Sequence, residues 1–359
     1  MYCSTVNELG EHLKTIENGL VLIYAGEKDF NYTELNPHIQ SDNFQVFGGI
    51  YPAIFPETKL HYTGFIVQHF AQDSHAILDD YSSVPDQAAN SSIQSGSGIV
   101  MVDGLAINNQ QLTDDLFYSV GSRYTFLGVG AGPLTLKQVP CIFDQNDIYS
   151  DKALLVLLDA DFSLGVKHGY ERVDGPFIAS NVKMNKIETL NWEKPLDLYS
   201  ATIQDKCGDV IDPEDFFSGS MKYPLGISRK GQEDIVRDPI SCGADGSITC
   251  INELPENAAL YLLKGSKDKL IAAATEAAEQ SVSKTDKAPS KVLVVDCVSR
   301  VLYLDEEFEK EIAGVSNVLH SKFPDIVVEG ILSLGEVSAQ KHEKREIHNK
   351  TCLVGVNYA

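Results

Sequence analysis

At 359 residues the chain exceeds the size at which one hydrophobic core stops growing, so two domains are expected. A formal charge of -22 argues against nucleic acid and anionic membrane surfaces as partners, because both repel an acidic protein. No basic segment precedes an early apolar stretch and no apolar run approaches the roughly 20 residues of a membrane span, so a cytoplasmic protein is expected, its seven cysteines reduced thiols.

In chain order, the first apolar run, Leu20 to Tyr24, reads as a buried strand and is followed by a helix over Tyr32 to Gln40. Then come Val46-Phe-Gly48-Gly49 and an outgoing strand, Tyr62 to Phe70. The polar segment Asp86 to Gly98 reads as an exposed connector. The same order returns in a strand at Ile99 to Val102, a helix at Gln110 to Val120, the glycines Gly128, Gly130 and Gly132, and a strand at Ala153 to Leu158. A third copy runs from Lys291 to Arg300, through a polar-faced helix, to Val328-Glu-Gly330-Ile-Leu and a last strand after His348. A repeated supersecondary unit constrains a fold more than any single motif, and this one predicts an α/β protein of repeated β-α-β-β units forming mixed sheets covered by helices. The recurrent glycines are expected between strands, where the backbone bends tightly or another backbone comes close, either in contact with a ligand or as bulges that let the sheets coil. Between the second and third copies, Asp205 to Ser220 is polar and holds Asp212-Pro213. It divides the chain into domains over 1–203 and 221–359 with a linker at 204–220. Short strands are expected around Leu225, Ile235, Ile248 and Leu260, then a helix from Asp268 to Val282 and a loop over Ser283 to Ser290.

Several motifs in order resemble the FIST family ("F-box and intracellular signal transduction") over nearly the whole chain. They are Gly165-Val-Lys-His168-Gly169-Tyr170, Leu190-Asn-Trp192 through Tyr199, Tyr223-Pro-Leu-Gly226, Ile235-Val-Arg237-Asp238, Cys297 to Arg300, Gly335-Glu336 and His348-Asn349-Lys-Thr351. One departure is Tyr51-Pro52-Ala53, where the family commonly carries a small residue followed by Ala-Gly-Glu. The resemblance implies N-terminal and C-terminal FIST domains, a sensory role toward small molecules with amino acids a proposed class, and output through a separate signalling protein such as a histidine kinase or cyclase.

An amino acid needs a guanidinium or backbone N–H groups for its carboxylate and a carboxylate for its ammonium. Arg237 and Arg300 offer the first, and Glu336 and Asp238 the second. Gly335, Cys297, His348, Asn349 and Thr351 complete the candidate set, and Arg300, Glu336, His348 and Asn349, each at a strand end, are expected to cluster around one concavity of the C-terminal domain. No cofactor is required by this reading. The alternative implied by a haem-binding, nitric-oxide-responsive subgroup makes His168 an iron ligand, since it follows an apolar run and precedes a glycine. An enzyme is not expected: Cys297 with His348 could be imagined as a hydrolytic pair, but no Gly-x-Ser-x-Gly elbow, His-Glu-x-x-His pair or Walker loop is present. Gly128, Gly130 and Gly132 fail the dinucleotide context, because Pro133-Leu-Thr-Leu follows in place of a helix.

Overall fold

The computed structural model describes residues 1–71, 73–229, 233–283, 287–340 and 346–358. Three units share one topology. Each has a lead strand, a helical crossover, a middle strand parallel to the lead, a short strand, and a return strand antiparallel to the lead on its other side. The lead, middle, short and return strands are Gly19–Gly26, Phe44–Tyr51, Ile54–Pro56 and Phe65–Phe70 in unit 1. In unit 2 they are Gly96–Asp103, Tyr124–Ala131, Ile142–Asp144 and Lys152–Leu158. In unit 3 they are Lys291–Cys297, Val328–Ser333, Glu336–Ala339 and Cys352–Tyr358. An edge strand flanks each return strand: Tyr2–Cys3, Ser74–Asp80 and Asp161–Lys167. The crossover helices are Tyr32–Ile39, Asn109–Val120 and, in unit 3, the pair Val298–Leu304 and Phe308–Lys322.

The short strands are exchanged in a ring. Unit 2 lends Ile142–Asp144 to the middle strand of unit 1, unit 3 lends Glu336–Ala339 to unit 2, and unit 1 lends Ile54–Pro56 to unit 3. The same backbone bond seals each joint: Ile50 N to Cys141 O at 2.9 Å, Gly130 N to Gly335 O at 2.8 Å, and Leu332 N to Ala53 O at 2.9 Å. A second bond runs from Gly132 N to Ile50 O and from Leu334 N to Gly130 O. At the third joint the corresponding residue is Pro52, which has no N–H to donate.

This exchange explains the glycines, and it corrects the expectation of turns. Gly48, Gly128 and Gly330 lie inside the middle strands, in unbroken register with the lead strands. Each faces the second residue of the borrowed strand, Phe143, Val337 and Phe55 respectively. A Cβ on Gly48 would sit 2.3 Å from the Phe143 ring, on Gly128 2.6 Å from the Val337 Cβ, and on Gly330 1.9 Å from the Phe55 ring. The glycines make room for a neighbour's side chain rather than bending the chain.

Side chains alternate across each strand, so each sheet has two faces to bury. The inner faces share one core that includes Leu20 and Leu22, Met101 and Leu127, and Leu293, Val295 and Leu353. The outer face of unit 3 packs under the helices Lys267–Val282 and Phe308–Lys322 through Val292, Val294, Ala274 and Ile312. Unit 2 uses Val100, Val102, Leu112 and Leu116 in the same way. The expected connector after Asp86 begins as a helix, Val84–Ala89, because Val84, Pro85 and Ala88 turn inward.

Between the edge strand Asp161–Lys167 and the helix Lys267–Val282 sit two four-stranded sheets with their own core. They contain the short strands expected near Leu225, Ile235, Ile248 and Leu260. The segment 204–220 carries the end of helix Pro195–Cys207 and the helix Phe216–Ser220, and it buries Ile211 and Phe216 in that core. Four of the five sheets combine strands from both sides of it. Part of the loop expected over Ser283 to Ser290 lies outside the described residues. Among the described residues no helix is long and apolar enough to cross a membrane.

Candidate functional site

At the carboxyl end of the unit 3 lead strand the chain passes directly into the helix Val298–Leu304, which sets Asp296 and Arg300 one turn apart. The Arg300 guanidinium lies 3.2 Å from Asp296 and 2.7 Å from Glu311, and all three side chains are fully enclosed. It also donates to the carbonyls of His168 at 2.7 Å, Lys350 at 3.1 Å and Leu270 at 3.0 Å. Every nitrogen of the fork is therefore engaged, and Arg300 is a joint between five segments rather than the carboxylate clamp expected from the sequence. Burial pushes Asp296 and Glu311 up, against the pull of Arg300.

Arg237 is also spoken for. It donates to Glu253 O at 2.7 Å, Val236 O at 3.1 Å and Ile347 O at 3.0 Å, and burial lowers it to about 10. Its role is to tie the inserted sheets to the hairpin that carries His348.

The remaining predicted residues meet in a buried polar cluster between these two arginines. Glu336 opens the short strand and pairs with His348 across the hairpin. Its Oε2 accepts from Thr351 N at 3.4 Å, while its Oε1 has no hydrogen-bond partner among the described residues. Burial, with Asp296 nearby, holds this carboxyl well above the usual range. Gly335 just before it has φ 140, in the left-handed region that favours glycine, with Ser333 Oγ donating to its carbonyl at 2.5 Å. Asp238 lies 3.1 Å from Lys350 Nζ, and its Oδ1 is without a hydrogen bond, as is Asn349 Oδ1. Thr351 Oγ donates to Asn349 O at 2.9 Å. The Cys297 thiol sits 3.3 Å from Ser299 Oγ, and burial pushes it up, away from the thiolate form.

Beside this cluster lies the unit 3 chamber, a cavity of about 250 Å³ that His348 and Thr351 line together with His168, Ser338, Lys167, Arg229, Glu233 and Asp234. His348 Nε2 is 2.9 Å from Ser338 Oγ, and burial pushes its pKa down to about 3, so it is neutral at physiological pH. His168 is buried and its Nδ1 accepts from Tyr170 N at 2.9 Å. That bond places the neutral ring's proton on Nε2, which lies 3.9 Å from Glu233 and has no hydrogen bond among the described residues. Iron would need a lone pair there, and a cavity of this size with both signs of charge on its wall does not suit a porphyrin, which is larger than the drug-sized ligands of 300–1,000 Å³ pockets. The residues present do not fit haem. Among the described residues no group of three His, Cys, Asp or Glu side chains could hold a metal ion.

The structure thus brings Arg237, Asp238, Cys297, Arg300, Gly335, Glu336, His348, Asn349 and Thr351 together, but assigns them two kinds of work. Sequence reasoning missed Lys350, although it stands inside the His348 to Thr351 motif. Its backbone φ of 54 and complete burial beside Asp238 mark it as a placed charge, not a solvated one. It also missed Glu311, whose only sequence signal is an acid on the inward face of a helix.

No curated protein matches the chain. The FIST N domain model matches residues 19–193, which span most of unit 1, all of unit 2 and the first strands of the insertion. The FIST C domain model matches residues 195–339, from the helix after Trp192 to the end of the Glu336–Ala339 strand. Adjacent, in order and together covering most of the sequence, these two matches show that the chain belongs to the FIST family.

Proposed function

We propose that the protein senses a small zwitterionic metabolite of the amino-acid class in the unit 3 chamber and passes the bound state to a separate signalling partner, such as a histidine kinase or cyclase. FIST domains are associated with signal transduction and small-ligand sensing. The observation that carries the reading is the set of buried polar atoms without hydrogen bonds among the described residues: Glu336 Oε1, Asn349 Oδ1, Asp238 Oδ1 and His168 Nε2. Each such group costs about 1–3 kcal/mol when left unsatisfied, so four close together describe a site built for something else to complete.

Their chemistry is of both signs. Glu336, Asp238 and Asn349 suit an ammonium, while Lys350 and the Nε2–H of His168 suit a carboxylate. Glu336 is protonated when empty, because burial raises it. An arriving ammonium favours the charged form, so binding releases a proton and strengthens as pH rises. The protonated thiol of Cys297 favours binding over covalent catalysis. The route outward is the Glu336–Ala339 strand itself, since it is part of the unit 2 sheet.

Titration calorimetry with a panel of amino acids tests this. One or more should bind one to one, with Glu336→Gln and Asn349→Ala each weakening the hit about tenfold or more. Failure of the whole panel, or a hit indifferent to both substitutions, overturns the reading.

A further inference from the structure

The exchange ring gives unit 1 the same ground plan as unit 3, and unit 1 has a cavity of its own. Gly26 N donates to Gly64 O at 3.0 Å where the lead strand meets the return strand, as Cys297 N donates to Thr351 O at 3.3 Å in unit 3. In unit 2 the corresponding place is plugged: Gln138 donates to Asp103 at 2.8 Å and to Asp151 at 2.7 Å. In unit 1 a groove of about 650 Å³ remains, at the carboxyl ends of the lead and middle strands, where open α/β sheets bind their ligands.

The groove differs from the unit 3 chamber in chemistry. Its walls are Phe30, Tyr32, Tyr62, Ile50 and Val139, with Pro133 and Pro140 of the unit 2 loop closing one side. Tyr62 and Val139 remain exposed at 50% and 43%. The half-buried charge in the groove is Glu27, which accepts from Leu134 N at 2.8 Å through Oε2 and so has its other oxygen to spare. Lys28 is exposed, and its ammonium stays in solvent at the rim.

We propose that this groove is a second ligand site, for an amine carrying an aromatic ring, with the ring between Tyr62 and Phe30 and the ammonium on Glu27. Aromatic walls attract a flat apolar body and also a cation, and the carboxylate fixes orientation. Burial raises Glu27, which an arriving ammonium reverses. The volume falls within the range of small-molecule pockets. The site is independent of the unit 3 chamber and stands or falls without it.

The probe is 2-phenylethylamine, with 3-phenylpropionate as its charge-reversed counterpart, titrated calorimetrically into the full chain. The amine should bind at one site and the carboxylate should not. Glu27→Gln keeps an acceptor for Leu134 N yet should weaken the amine about tenfold or more, and Tyr62→Ala, at an exposed position, should weaken it several-fold with the melting temperature held. No binding of the amine, equal binding of the carboxylate, or an affinity indifferent to Glu27→Gln overturns the proposal.

Discussion

Replacing Arg300 by methionine tests whether that side chain is a joint or a ligand clamp. The substitution keeps an unbranched apolar stem but removes the cation from between Asp296 and Glu311, together with donors to the carbonyls of His168, Leu270 and Lys350. Breaking a buried ion pair from one side costs about 3–5 kcal/mol, and here two carboxyls and three carbonyls are orphaned at once, so the loss should reach about 5 kcal/mol. The loss should also depend on pH. Burial raises Asp296 and Glu311, and Arg300 is what restrains the rise. A carboxyl raised in the folded state holds its proton longer than in the unfolded chain, so its contribution to stability falls as pH climbs above the unfolded value of about 4.3. Without Arg300 the rise is larger, and the gap between variant and wild type must widen from pH 5.5 to pH 8. Arg300→Lys should recover only part of it, because three donors on a point charge cannot serve acceptors spread around a planar fork. Urea unfolding at the two pH values measures both effects. A loss under about 1 kcal/mol, or one equal at both pH values, refutes the reasoning.

Two further outcomes follow from the same structure. Gly330→Ala places a Cβ 1.9 Å from the Phe55 ring, where carbon atoms need about 3.5–4.0 Å, so it should cost about 1–3 kcal/mol. Phe55→Leu in the same chain should relieve part of that cost, and a double-mutant cycle with no coupling energy would show the exchange joint to be misread. Glu336→Gln replaces a carboxyl that burial holds protonated with a neutral group of the same shape. The variant should melt higher than wild type at pH 8 and indistinguishably from it near pH 4, and the opposite trend would place Glu336 as an ionised group.

The three units were legible because buried parallel strands read as unbroken apolar runs, as at Leu20 to Tyr24 and Lys291 to Val295. The exchange was not, because a three-residue strand such as Ile142–Asp144 has no period to detect. Glycines opposite a neighbour's aromatic ring look the same in sequence as glycines in a turn, which is why Gly48, Gly128 and Gly330 were misplaced. At the site, residue types at strand ends sufficed to gather the cluster. They could not reveal that Arg237 and Arg300 are consumed by backbone carbonyls, since a carbonyl leaves no mark on the sequence. Lys350 escaped for a related reason: a lysine in a polar turn is ordinarily solvated, and only the closing of Asp238 over it makes the charge a buried one.

The ring of borrowed strands also sets a timetable for making the protein. The middle strand of unit 2, Tyr124–Ala131, leaves the ribosome before the strand that covers its edge, Glu336–Ala339, has been translated. At about 5–20 residues per second the interval is on the order of 10–40 s. Throughout it, an apolar strand presents unpaired N–H and C=O groups, the condition that invites pairing with other chains. Ile54–Pro56 waits longer still relative to its own birth: beyond the local Ile54–His61 bridge, it pairs only when Val328–Ser333 appears. Nascent chains of this protein therefore carry an open sheet edge until the last unit is complete.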